Sequence, residues 1–158
     1  MQLRTAAACA MSLVCSSAAN SYWSADKASG AGQATVRASA GLPYFACTAG
    51  KLVLGAGVEV VAAPPAGTPA RFEIVFVDRL PVAFDVVTTK TEAGRFEVVV
   101  SESEAVLRLA RDALSSVRAF RATVTVANDR LKAESSGTMT GARDAITAVL
   151  KACNMASG

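Results

Sequence analysis

The sequence predicts an α+β fold: an antiparallel, β-rich, sandwich-like sheet with two helices, the second of them C-terminal. Three observations carry this. Six or seven short runs of alternating β-branched and aromatic residues precede any helical pattern. Two later segments repeat their apolar residues at helical spacing instead. No helix is available between most of the strands, and a parallel sheet requires one at each crossover.

The elements follow in order. "QATVRAS" (33–39) is short and alternating. "PYFACTA" and "KLVL" flank the turn pair Ala49-Gly50 and read as a hairpin, with Phe45 and Cys47 on one side of the strand and Tyr44 and Ala46 on the other. "GVEVVAA" (57–63) continues the sheet, and "PPAGTP" (64–69) is a loop by composition. Three strands come next, with inward sets Phe72/Ile74/Phe76, Val82/Phe84/Val86 and Phe96/Val98/Val100. The period then changes. In "SESEAVLRLARDALSSV" (101–117), Val106, Leu107, Ala110, Ala113, Leu114 and Val117 form one helical face. Ser101 or Ser103 caps this helix, and Glu104–Arg108 and Arg108–Asp112 are i, i+4 pairs. "RAFRATVTVAN" (118–128) returns to strand with Phe120, Ala122, Val124 and Val126 inward; Asn128-Asp129 turns it into the more polar "RLKAESSGTMT" (130–140). In the last helix Ala142, Ala145, Ile146, Val149, Leu150 and Cys153 share a face, with Thr140 as the expected N-cap and Lys151 in the last turn, where a cation suits the dipole.

Composition bounds the function. At 158 residues, 52% hydrophobic and 18% charged, the chain can bury one sizeable core and is not a disordered polymer. Its 16 basic and 13 acidic residues are interspersed, with no basic stripe of the kind a nucleic-acid binder concentrates. It contains no histidine, which removes the commonest general base and metal ligand.

The start, "MQLRTAAACAMSLVCSSAANSYW", has Arg4, an Ala-rich apolar stretch from Thr5 to Val14, and small residues Ser16 to Ala19. This is the pattern of a secretory signal, and the apolar stretch is too short for a permanent anchor. The predicted organisation is a signal peptide at 1–19, a flexible leader at 20–32 and one domain at 33–155. Trp23, the only tryptophan, falls in the leader, either docked on the core edge or exposed. Lipidation of Cys15 is disfavoured by the bulky Val14 before it. Cleavage near Ala19 removes Cys9 and Cys15 and leaves Cys47 and Cys153, a pair with one intramolecular connectivity in an oxidising compartment. Both fall on the apolar face of their element. The alternatives are a disulfide pinning the last helix to the first hairpin and two free cysteines packed as small hydrophobes. A bridge would close a loop of about 106 residues, for which the chain-entropy model gives roughly 4–5 kcal/mol.

Catalytic motifs are weak. "SADK" (Ser24 to Lys27) matches the S-x-x-K string of β-lactamases, but neither S-D-N nor K-T-G accompanies it. "GAG" (55–57) lacks the spacing of a dinucleotide turn and reads as a strand break or bulge. No spacing supplies ligands beside Cys47 and Cys153 for a metal, and Glu73 and Glu97 fall on outward strand positions. Arg108, Arg111, Arg118 and Arg121 are either a basic patch for an anionic partner or ordinary surface arginines. No catalytic residue, cofactor or metal is therefore expected.

The ending "TMTGARDAITAVLKAC", with "FACTAGKLVL" earlier, is similar to the endings of small exported proteobacterial proteins, the type VI secretion accessory and invasion-associated periplasmic proteins. The resemblance implies a periplasmic β-rich accessory domain and transfers no catalytic residue. The expected function is a non-catalytic periplasmic or secreted accessory protein whose partner is another envelope or secreted protein, with no nucleic acid and no stable membrane span after cleavage. The alternatives are an inhibitor or immunity-type binder of an envelope enzyme, for which "APPAGTPA" is the candidate loop, and a small hydrolase.

Overall fold

The computed structural model describes residues 23–26, 33–36, 42–115, 118–126 and 130–155. The expected signal segment and the Asn128-Asp129 turn lie outside them. Nine strands and two helices follow the chain as β1 (Trp23–Asp26), β2 (Gln33–Val36), β3 (Leu42–Thr48), β4 (Lys51–Glu59), β5 (Pro69–Phe76), β6 (Val82–Glu92), β7 (Arg95–Val100), α1 (Glu104–Ser115), β8 (Ala119–Val126), β9 (Leu131–Thr138) and α2 (Ala142–Ala152). The α+β class with a C-terminal second helix holds. All strands belong to one antiparallel sheet in the order β1-β2-β3-β4-β7-β6-β5-β8-β9.

The two faces of the sandwich are two halves of this one sheet. The pivot is β6: its residues Val82–Val87 pair with β5 and its later residues pair with β7. The register shifts between Thr89 and Glu92, where Lys90 takes a positive φ of 46°, and such bulges bend a sheet. Curling is required by a distance. Six strands separate β1 from β8 in the ladder, so a flat sheet would hold them roughly 34 Å apart at the usual strand spacing. Yet the Trp23 ring on β1 lies 5.6 Å from that of Phe120 on β8, and 6.2 Å from that of Phe45 on β3.

The interior is filled by the inward residues of both halves. Phe45, Leu52, Leu54, Val58, Phe96 and Val98 come from one half, and Phe72, Ile74, Phe76, Phe120, Val124 and Val126 from the other. Phe84 and Val86, expected inward, are only half-buried. Val106, Leu109, Ala110 and Ala113 of α1 are buried. The expected stripe is thus rotated: Leu109 enters it, Leu107 and Leu114 are half-buried, and Val117 lies outside the described residues. The α2 stripe is buried as expected, and α2 packs on β1, β2, β3 and α1. Ser103 caps α1, its Oγ accepting from the Val106 N–H at 3.3 Å. Asp112 pairs with Arg79 across space, at 3.5 Å, in place of the expected Arg108.

Three expectations are corrected. Trp23–Asp26 is a strand of the sheet with Trp23 only 2% exposed, so a flexible leader does not describe these four residues. Gly141, not Thr140, is the N-cap of α2, at φ 77° and without a side-chain cap. The Thr140 carbonyl instead accepts the Trp23 N–H at 2.9 Å, and a Cβ at position 141 would stand 2.5 Å from the Trp23 oxygen. "GAG" is no break: Gly55 and Gly57 lie in the continuous strand β4, and their missing side chains leave room for the Tyr44 ring and the Arg95 guanidinium.

Candidate functional site

Cys47 on β3 and Cys153 at the end of α2 form a disulfide with Cα atoms 5.5 Å apart and a sequence separation of 106. Both thiols are thereby removed as nucleophiles or ligands. Among the described residues no group of three or more His, Cys, Asp or Glu side chains is arranged to hold a metal ion. Ser24 of "SADK" lies on a strand rather than at a helix start, and Lys27 lies outside the described residues.

The expected solvated carboxylates differ from each other. Glu73 is outward on β5 without an ion-pair partner among the described residues. The Glu97 side chain is only 14% exposed, held by Lys90 Nζ at 3.1 Å and by Arg95 at 3.5 Å. The Tyr44 hydroxyl donates to it at 3.5 Å while the ring crosses Gly55. Burial, then the Glu97 charge and hydrogen bond, push the Tyr44 phenol up to about 12. The Tyr44 phenol is thus held neutral well above pH 7, beside a Glu97 side chain paired with Lys90 and Arg95.

The four arginines lie on α1, just before β8 and on β8 itself. Arg108 and Arg111 are exposed on α1, Arg118 faces Asp78 at 3.9 Å, and Arg121 stands on the outer face of β8 beside Thr123.

The segment missed in its full extent is 60–69, "VVAAPPAGTP", ten residues with no charge. It carries the chain from β4 to β5 past β7 and β6. Val61 and Ala62 are exposed, Val61 completely, as are Pro65, Ala66 and Pro69. Val87, paired in register with Pro69, is 48% exposed and extends the apolar surface. The segment is nonetheless fixed. The Val60 N–H donates to the Gly94 carbonyl at 2.9 Å and the Gly67 N–H to the Thr88 carbonyl at 2.8 Å. Thr88, 1% exposed, is the anchor. Its Oγ1 donates to the Pro65 carbonyl at 2.6 Å and accepts from the Thr68 N–H at 3.1 Å, while its own N–H donates to the Thr68 carbonyl at 2.9 Å. An open hollow of about 520 Å³ lies beside this ridge, lined by Glu59, Val60, Val61, Ala93, Gly94 and Arg95. Composition alone marked 64–69 as a loop; its fastening depends on a threonine from a strand twenty residues on.

Comparison of the chain with protein-family models, with curated proteins and with solved structures finds no match.

Proposed function

We propose that the protein is a non-catalytic accessory protein of the periplasm or the secreted space that acts by binding another envelope or secreted protein. The observation that carries this reading is the 60–69 ridge. Six residues of this uncharged ten-residue segment are exposed, Val61 completely, while its backbone is already ordered by bonds to Thr88 and Gly94. Preorganisation of this kind lowers the entropy lost on association. The disulfide and the signal-like start agree with an oxidising compartment. Among the described residues no helix is long and apolar enough to cross a membrane. The resemblance to exported accessory proteins supports the same reading.

A photo-crosslinking residue at Val61, in cells expressing the protein, tests it. The expected result is a discrete adduct that is absent with the crosslinker at Arg143 and weakened by Thr88→Val, which frees the loop. Identical adducts from both positions, or none from Val61, would refute the reading. Recovery of the native protein with an N-terminus near Asn20 is the expected sign of export; intact Met1 in the cytoplasm overturns that part.

A second reading, an inhibitor of an envelope enzyme, is favoured by the segment being a fixed, proline-containing loop with Val61 fully exposed at its start. It requires that the crosslinked partner be an enzyme whose turnover falls when the wild-type protein, but not Val61→Asp, is added.

A further inference from the structure

The outer face of β5, β8 and β9 carries a charge pattern that appears only in the assembled sheet. Along β8 the outward residues are Arg121, Thr123 and Thr125. Register sets each in a row. Thr125 lies between Arg71 on β5 and Lys132 on β9; Thr123 lies between Glu73 and Glu134; Arg121 lies between Val75 and Ser136. Arg71, Glu73, Arg121, Thr123, Thr125, Lys132 and Glu134 line one trough of about 280 Å³. The short threonines make its floor and the longer side chains on β5 and β9 make its walls. Those walls stand two strand spacings apart, roughly 9.6 Å, and successive rows are about 6.8 Å apart along the strand. An extended peptide has the matching repeat, because its residues i and i+2 point the same way at that same interval.

The rows alternate in sign. Two cations face each other across Thr125, two carboxylates across Thr123, and Arg121 follows in line. Little inside the molecule neutralises them. Arg71–Asp85 is a 3.6 Å pair with side chains 60% and 91% exposed, and Lys132–Glu134 spans 4.0 Å; such exposed pairs contribute little. Glu73 and Arg121 have no ion-pair partner among the described residues. The like charges of each row stand on either side of a threonine, two strand spacings apart, so they leave a gap between them that a side chain of opposite charge can enter. A polyanion would meet the carboxylate row, and no aromatic side chain offers a platform for a sugar ring.

The geometry points to a binding site for an extended peptide whose charges alternate at every second residue, acidic–x–basic–x–acidic. Its basic side chain sits between Glu73 and Glu134, one acidic side chain between Arg71 and Lys132, and the other against Arg121. The site shares no residue with the 60–69 ridge and stands whether or not the ridge binds a partner.

Fluorescein-labelled Asp-Gly-Lys-Gly-Asp and the reversed Lys-Gly-Asp-Gly-Lys test this by fluorescence polarisation with the full chain. The first peptide is expected to bind at least about tenfold tighter at low salt and to be released at high salt. The double variant Glu73→Gln/Glu134→Gln should weaken binding of the first peptide, whose lysine then meets no carboxylate, Arg121→Gln should weaken it too, and Val61→Asp should leave it unchanged. All four substitutions are on exposed or half-exposed positions, and circular dichroism checks that each variant is folded. Equal binding of the two peptides, no binding of the first at low salt, or binding of the first that is unchanged or tighter in the double variant would overturn the proposal.

Discussion

Replacing Trp23 with alanine empties the place where the two halves of the curled sheet meet. The indole is 2% exposed and lies against Phe45 and Phe120 at 6.2 and 5.6 Å. Truncation of a buried tryptophan costs about 3–5 kcal/mol in transfer and cavity terms. The upper part of that range applies here, because α2, β3 and β8 enclose the indole from different sides and the space it leaves cannot close easily. For a domain of this size the loss corresponds to a fall in melting temperature of roughly 6–20 °C. Trp23→Phe should cost less than the alanine variant. It keeps the aromatic contacts and removes an indole N–H that is buried without a hydrogen-bond partner among the described residues, a group whose burial costs about 1–3 kcal/mol. Guanidinium unfolding followed by far-ultraviolet circular dichroism measures both variants. Trp23, as the sole tryptophan, also reports on itself: wild-type emission should be blue-shifted and move red only with global unfolding. An alanine variant within about 1 kcal/mol of wild type, or water-exposed emission in the native protein, would refute the packing argument and restore the leader reading of this segment.

The remaining predictions concern three other positions. Cys153→Ser should lower stability by roughly 2–5 kcal/mol and expose the α2 amides to hydrogen exchange first; non-reducing peptide mapping should recover Cys47 and Cys153 as one linked pair. With its folded value raised above that of the unfolded chain, Tyr44 stabilises the fold fully below pH 10, and that contribution is lost as pH rises toward about 12. Alkaline unfolding should therefore steepen in this window for wild type and flatten in Tyr44→Phe. Ala49 takes φ 50° beside Gly50 at φ 75°, both central residues of the β3–β4 turn being left-handed; Ala49→Asn should raise stability by roughly 1 kcal/mol, measured as a shifted denaturation midpoint at constant slope.

Most strands from residue 42 onward were legible, β4 only as two runs broken at 55–57, because two-residue alternation and turn chemistry agree with the final sheet: Phe72, Ile74 and Phe76 face in, and Ala49-Gly50 turns. The Cys47–Cys153 pairing was legible as one of two alternatives, from faces and arithmetic. What escaped depends on strand order. Trp23 sits among small polar residues, too short a run for periodicity, and is buried by side chains of β3 and β8. Glu97 occupies an outward position but is shielded by Tyr44, Lys90 and Arg95, which reach it from other strands or from two residues away. The trough on β8 uses outward residues that alternation identifies, yet its sign pattern exists only once β5 and β9 flank that strand.

The seam at Trp23 also sets the order in which the molecule can be completed. The first strand of the sheet is buried by a helix and a strand made near the other end of the chain, and the Trp23 N–H bonds to Thr140. Cys47 likewise waits 106 residues for its partner. A nascent fragment that stops before α2 therefore keeps Trp23 without its covering helix and Cys47 without Cys153, and its contacts within β5, β6 and β7 can form without relieving either. Closure is a long-range event of the kind that makes β topologies slow to fold. The half-finished chain is accordingly the form of this protein most in need of a chaperone, and the form in which a wrong intermolecular disulfide is easiest to make.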